Sequence, residues 1–201
     1  MILVALVMSL SFHEFGHAWV AKRFGDNTAE RAGRLTINPL AHIDPMGLLM
    51  VIFVGFGYAK PVPTDPRCFT SRYAVLLVAV AGPGMNLLLA VITINLYALG
   101  LKFGWSFFQQ PDLYFFFSYL ALINLLLMVF NLLPIGALDG HYILPYFLPH
   151  RLALLYRHYN YKYGNWLLLL FVLLAVLGLP VFETILEVSQ MLLPLIVFIQ
   201  P

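Results

Sequence analysis

The stretch Phe12-His13-Glu14-Phe15-Gly16-His17-Ala18 follows an almost wholly apolar run from Met1 to Leu10, and that juxtaposition decides how the chain is read. On a helix, residues i and i+4 lie on one face about one turn apart, so His13 and His17 can direct ring nitrogens at a single metal ion. Glu14 stands beside them, where a carboxylate can accept a proton from a metal-bound water. Two ligands and one base are the physical content of the pattern His-Glu-x-x-His. The bland alternative is two unrelated helical histidines. Against it stands the setting, because an ionisable group in a membrane-length apolar stretch costs on the order of 3 kcal/mol unless it faces a cavity or a partner.

The 201 residues are 62% hydrophobic and 10% charged, with a mean hydropathy of +0.88. Soluble domains are roughly half apolar and a quarter charged, so this composition describes an integral membrane protein. The single Cys68 excludes an internal disulfide and a cysteine-based metal site. A net charge of +2 is too small to suggest a nucleic-acid partner, and the basic residues serve as topology signals. The N-terminus lacks a basic leader and a small-residue cleavage site, which predicts a retained span.

The first span is predicted from about Met1 to Phe24, long enough to cross a hydrocarbon core of about 30 Å. Between Gly33 and Arg72, Pro39, Pro45, Pro61, Pro63 and Pro66 forbid a continuous helix. Within this loop, Met46 to Tyr58 is too apolar for open solvent and too short to span, which predicts an interfacial or re-entrant segment. A second span follows from Tyr73 to about Leu99, interrupted at Ala81-Gly82-Pro83-Gly84, and a third from Leu113 to Leu133. A polar, Tyr-rich stretch then runs to Asn165, a fourth span starts at Trp166 and breaks at Pro180, and Val181 to Ile199 is a fifth span or an interfacial helix. The expected fold is an all-α integral membrane protein. It has four to five transmembrane helices with a short re-entrant or β-hairpin loop after the first, forming one membrane-embedded domain over residues 1–201.

Basic residues orient the spans. Lys22, Arg23, Arg31, Arg34, Lys60, Arg67 and Arg72 surround the first loop, Arg151, Arg157 and Lys162 follow the third span, and only Lys102 lies between. The positive-inside rule makes the first and third loops cytoplasmic and the N-terminus external. The His-Glu-x-x-His motif then lies near the cytoplasmic end, His17 being about 8 Å of helix from Lys22.

Two histidines leave a catalytic zinc short of its usual three protein ligands. His42, His141, His150, His158, Asp44 and Asp139 all fall on the predicted side of His17. Asp139 stands out because Asn131-Leu132-Leu133-Pro134-Ile135-Gly136-Ala137-Leu138-Asp139-Gly140 carries the Pro and Gly residues that bend backbone at membrane depth.

His-Glu-Phe-Gly-His combined with Asn-x-x-Pro-x-x-x-Leu-Asp-Gly resembles the site-2 protease family of intramembrane zinc metalloproteases. Asn38-Pro39-Leu40-Ala41-His42-Ile43-Asp44-Pro45 and Gly82-Pro83-Gly84-Met85-Asn86 are similar to further stretches of that family, and the likeness covers roughly residues 10–145. The resemblance implies Zn2+ held by His13, His17 and Asp139, with Glu14 activating the attacking water. It implies substrate handling for Asn86 and Asn131, and a strand edge offered to the substrate by the loop from Gly33 to Lys60. The expected substrates are transmembrane proteins or peptides in a lipid bilayer, cleaved in or near their spans. The expected place is a prokaryotic cell membrane, with the site near the cytoplasmic side and the oligomeric state left open. The sequence leaves no room for a PDZ domain between the first two spans, which marks a minimal member.

Other residues have plainer uses. His42 and Asp44 beside prolines suit turn chemistry, Asn86 suits a helix-helix hydrogen bond, and His150 and His158 sit in an interfacial aromatic belt. A metal transporter is the rival function. It requires ionisable residues along several spans, and the second and third spans have none. A non-catalytic scaffold that binds transmembrane helices is the other rival, opposed by the presence of all four catalytic positions.

Overall fold

The computed structural model describes residues 2–54, 57 and 59–200, and every regular element among them is helical. The helices are α1 (Ile2–Arg23), α2 (Thr28–Arg31), α3 (Pro45–Val54), α4 (Ala74–Lys102), α5 (Pro111–Asn131), α6 (Gly140–Ile143), α7 (His150–Val176) and α8 (Val181–Leu192), with short 3-10 turns between them. Their ends follow local chemistry. Lys22 and Arg23 sit in the last turn of α1, against the negative end of the helix dipole, and Gly25 at φ +96° then turns the chain away. Helix α5 starts on Pro111, whose missing N–H costs nothing in a first turn.

Helices α1, α4 and α5 are each long and apolar enough to cross a membrane, and they pack against one another. Their contact faces use small residues, with Ala5, Ala18, Ala21, Ala74, Ala90 and Ala121 all buried, which lets backbones approach closely. Larger apolar residues such as Leu77, Leu88, Ile92 and Phe115 are exposed instead. That inversion is expected where lipid, not water, is the solvent. One apolar cluster joins Ala90 and Ile94 of α4 to Ala121 and Leu125 of α5 and to Ile196. Asn95 of α4 fixes the C-terminal segment, donating to Ile196 O and accepting from the amides of Phe198 and Ile199.

Several expectations need correction. Helix α4 runs unbroken through Pro83, because the carbonyl that Pro83 leaves without a partner can be accommodated in a packed membrane helix. The helix that carries the fourth candidate span does not start at Trp166 but at His150, taking the Tyr-rich stretch into the first half of α7. Helix α7 and the segment Val181–Ile196 form a pair bent by 90°, a fourth span if the pair is counted as one, so the described residues carry three or four candidates. The loop after α1 shows no β-hairpin among the described residues. It contains α3, capped by Asp44, whose Oδ1 accepts from the amides of Met46 and Gly47. The segment 46–58 falls partly on residues 55, 56 and 58, which lie outside the described residues.

Candidate metal centre

Helix α1 supplies His13 and His17 one turn apart, their rings edge to face with centroids 4.7 Å apart and their Nε2 atoms 3.0 Å apart. The rings fit against α4 because that helix has a glycine beneath them. A Cβ on Gly82 would collide with His17 Nε2 and with His13 Cε1. Gly16 does the same for the backbones, since a Cβ there would meet the Met85 side chain and Ala81 O. His17 Nδ1 lies 2.7 Å from Val78 O and donates to it, because a carbonyl only accepts. The lone pair of His17 is thereby left on Nε2.

Asp139 closes the group. Its Oδ2 lies 3.2 Å from His13 Nε2 and its Oδ1 3.4 Å from His17 Nε2. Among the described residues, these three form one cluster that could hold a metal, each offering an atom within 4.8 Å of the others. Tetrahedral zinc with bonds of about 2.0–2.1 Å separates its ligand atoms by about 3.3 Å, close to the separations found here. Two facing nitrogen lone pairs at 3.0 Å repel unless a cation lies between them, and Asp139 Oδ2 is buried without a hydrogen-bond donor. The donor set therefore fits zinc.

The loop between α5 and α6 carries Asp139 and is clamped from α7. Gly136, at φ +60°, makes the reversal, and its N–H and C=O pair with the Asn160 side chain at 3.1 and 3.0 Å. Asn160 Nδ2 also donates to His141 Nδ1 at 2.7 Å, and Tyr156 Oη donates to Pro134 O at 2.7 Å. Burial, aided by the charge of Arg157, pushes the His141 imidazole down, which suits a neutral ring that accepts at Nδ1. Tyr156 and Asn160 are four residues apart on one face of α7, so a single helix brackets the aspartate from residue 134 to residue 141.

Glu14, 8% exposed, accepts at Oε2 from the Val62 N–H at 2.8 Å. Val62 sits between Pro61 and Pro63, whose rings favour extended backbone, in a strap fixed on both sides. Lys60 N–H donates to His42 O at 2.9 Å, and Lys60 O accepts from the Arg34 guanidinium. At the far end the Asp65 N–H donates to Asp26 Oδ2 at 2.6 Å. Burial would raise the Asp26 carboxyl, but hydrogen bonds from Thr28 and Asp65 outweigh it and hold the group low.

The structure thus brings together His13, His17, Asp139 and, on the same turn of α1, Glu14. Asn86 is fully buried behind His13, with its Oδ1 2.7 Å from His13 Nδ1. Asn131 ends α5 and donates from Nδ2 to Leu127 O. His42 is buried in the loop, bonded through Nε2 to Thr36 O, while His150 and His158 lie on α7 outside the cluster. Sequence reading missed Asn124, Asn160, Tyr156 and the Val62 amide. A polar amide inside an apolar span was the available signal for Asn124; a backbone N–H leaves none.

A family model described as peptidase family M50 matches residues 1–109 and 106–177. The chain is 42% identical over 153 residues to "Putative zinc metalloprotease YwhC" of Bacillus subtilis, covering 74% of this chain and 69% of that protein. It is 37% identical over 150 residues to "Putative zinc metalloprotease Rip2" of Mycolicibacterium smegmatis, covering 70% of this chain and 54% of the relative. Rip2 of Mycobacterium tuberculosis is 34% identical over 146 residues, with the same coverage. The chain therefore spans about half the length of the Rip2 relatives. No solved structure matches it.

Proposed function

The chain belongs to peptidase family M50, the site-2 protease family, and on that premise we propose that it is an intramembrane zinc metalloprotease that hydrolyses peptide bonds in or near transmembrane segments. The observation that carries this reading is the convergence of His13 Nε2, His17 Nε2 and Asp139 at 3.0–3.4 Å with Glu14 on the same helical turn. His13, His17 and Asp139 would hold Zn2+, which when bound would supply the Lewis acidity that makes water nucleophilic near neutral pH and polarises a carbonyl.

The chain's own residues do the rest. Glu14 takes the proton of the attacking water and returns it to the departing amine nitrogen, so one carboxylate serves as base and then as acid. The Val62 N–H holds Oε2, which fixes the carboxylate and leaves Oε1 for the proton. Burial of Glu14 and His13 keeps bulk solvent from competing for these bonds.

An intact transmembrane helix has its amides bonded internally, so the substrate must unwind before its carbonyl can reach the site. Substrates with Gly, Pro or Asn near the cut are expected to be favoured, and Asn131 is proposed to contact the unwound segment. Basic residues around both loops support a site that opens to the cytoplasmic side of a prokaryotic cell membrane, with α3 lying re-entrant or at the interface. Metal analysis tests the reading. His13→Ala, His17→Ala and Asp139→Ala should each lose zinc, and full occupancy in Asp139→Ala would move the third ligand elsewhere.

A further inference from the structure

Behind His13, Ser9 of α1, Asn86 of α4 and Asn124 of α5 form a polar chain with no solvent exposure, in the middle of three apolar helices. Asn86 Nδ2 donates to Ser9 O at 3.2 Å and to Asn124 Oδ1 at 2.9 Å. Asn124 Nδ2 donates to Leu120 O at 2.7 Å and to Ser9 Oγ at 2.8 Å. Ser9 Oγ in turn donates to Ala5 O at 2.7 Å.

An asparagine amide has two orientations that differ by a flip, and only its partners choose between them. Here the partners leave one choice. Leu120 O can only accept, so Asn124 must turn its NH2 toward it and present its carbonyl to Asn86. Ser9 O and Asn124 Oδ1 are both acceptors, so the Asn86 NH2 faces them and its carbonyl faces His13. A carbonyl opposite Nδ1 requires the proton on Nδ1 and keeps the lone pair on Nε2, the atom 3.0 Å from His17 Nε2.

We propose that Asn86 and Asn124 are positioning residues that lock His13 in its metal-binding tautomer, with backbone carbonyls of α1 and α5 setting the direction of the whole chain. This rests on the zinc reading of the site. Asn86 then acts through His13, not through contact with substrate, and Asn124 couples α5, the helix that leads into the Asp139 loop, to the ligand on α1. The competing idea is that the two amides merely glue helices together, as buried polar groups in membrane bundles do. That idea predicts lost stability with zinc affinity intact.

The test uses the purified full chain in detergent, with zinc affinity measured by chelator competition and stability by thermal unfolding. Asn86→Leu removes the acceptor and should weaken zinc about 10- to 100-fold, the usual effect of losing an outer-shell partner. Asn86→Asp keeps an acceptor opposite Nδ1 but turns its second oxygen toward the acceptors Ser9 O and Asn124 Oδ1, so it should lose affinity, though clearly less than Asn86→Leu. Asn124→Leu should give a smaller loss in the same direction. Ser9→Ala removes one of the two acceptors of Asn124 Nδ2 and leaves the Leu120 O bond, so its loss should be smaller than that of Asn124→Leu. Native affinity in Asn86→Leu, or equal losses in Asn86→Asp and Asn86→Leu, overturns the lock. If Asn86→Leu does not fold, the 15N spectrum of the zinc-loaded parent decides, because coordination of His13 through Nδ1 contradicts the lock and coordination through Nε2 upholds it. A parent that binds no zinc is a different result and strikes the reading of the site itself.

Discussion

Val62 donates its backbone N–H to Glu14 Oε2 across 2.8 Å, although 48 residues of chain separate them. The contact exists because two prolines hold the strap extended and because Lys60 and Asp65 anchor it on either side. A charge-assisted hydrogen bond of this kind contributes about 1.5–3 kcal/mol.

Val62→Pro removes that N–H and keeps extended backbone, so kcat/KM should fall about 10- to 100-fold with zinc retained. Val62→Ala keeps the amide and should stay within about threefold. Steady-state cleavage of a single-span substrate measures both. Equal activity in Val62→Pro and the parent would remove the amide from the machinery, and higher activity would make the strap an inhibitory contact.

Gly82→Ala places a methyl group where His17 Nε2 and His13 Cε1 now lie. Since the two histidines are the proposed ligands, zinc affinity should drop by about 100-fold, at least the upper end seen for losing an outer-shell partner. Overpacking should also cost about 1–3 kcal/mol of stability. Chelator competition and thermal unfolding report the two effects separately. Zinc binding at the parental level would mean that α4 yields and that the close approach is incidental.

The Asp139 loop offers a third test, since Asn160 pairs with both polar groups of the Gly136 backbone. Asn160→Ala should weaken zinc about 10- to 100-fold by freeing the loop that presents the aspartate. Tyr156→Phe removes one hydrogen bond worth about 1 kcal/mol and should cost about fivefold. Parental affinity in Asn160→Ala would show that the loop holds its shape without α7.

Much of this arrangement was legible in the chain because it depends on local spacing. His13 and His17 four residues apart on an apolar helix can only meet on one face, and the Pro and Gly residues before Asp139 announced a bend. What stayed hidden depends on distant partners. Gly82-Pro83 reads as a helix breaker, yet α4 continues and the glycine serves to seat two rings. Tyr156 reads as one aromatic of an interfacial belt and Asn160 draws no reading at all, and only the folding of α7 against the loop reveals them as a clamp. The Val62 amide has no side-chain signature, so no residue pattern could mark it.

The central claim, zinc-dependent peptide hydrolysis with Glu14 as the base, is tested most directly by measuring cleavage and zinc content together in the parent and in Glu14→Gln. Both proteins are purified in detergent and incubated with a panel of single-span substrates, some with a helix-breaking residue near the expected cut. The parent should cleave, chelation should stop it, and zinc should restore it. Glu14→Gln should hold zinc at the parental level and lose activity by about 100- to 10,000-fold. Cleavage by Glu14→Gln at the parental rate would contradict the assignment of the base and, with it, the mechanism.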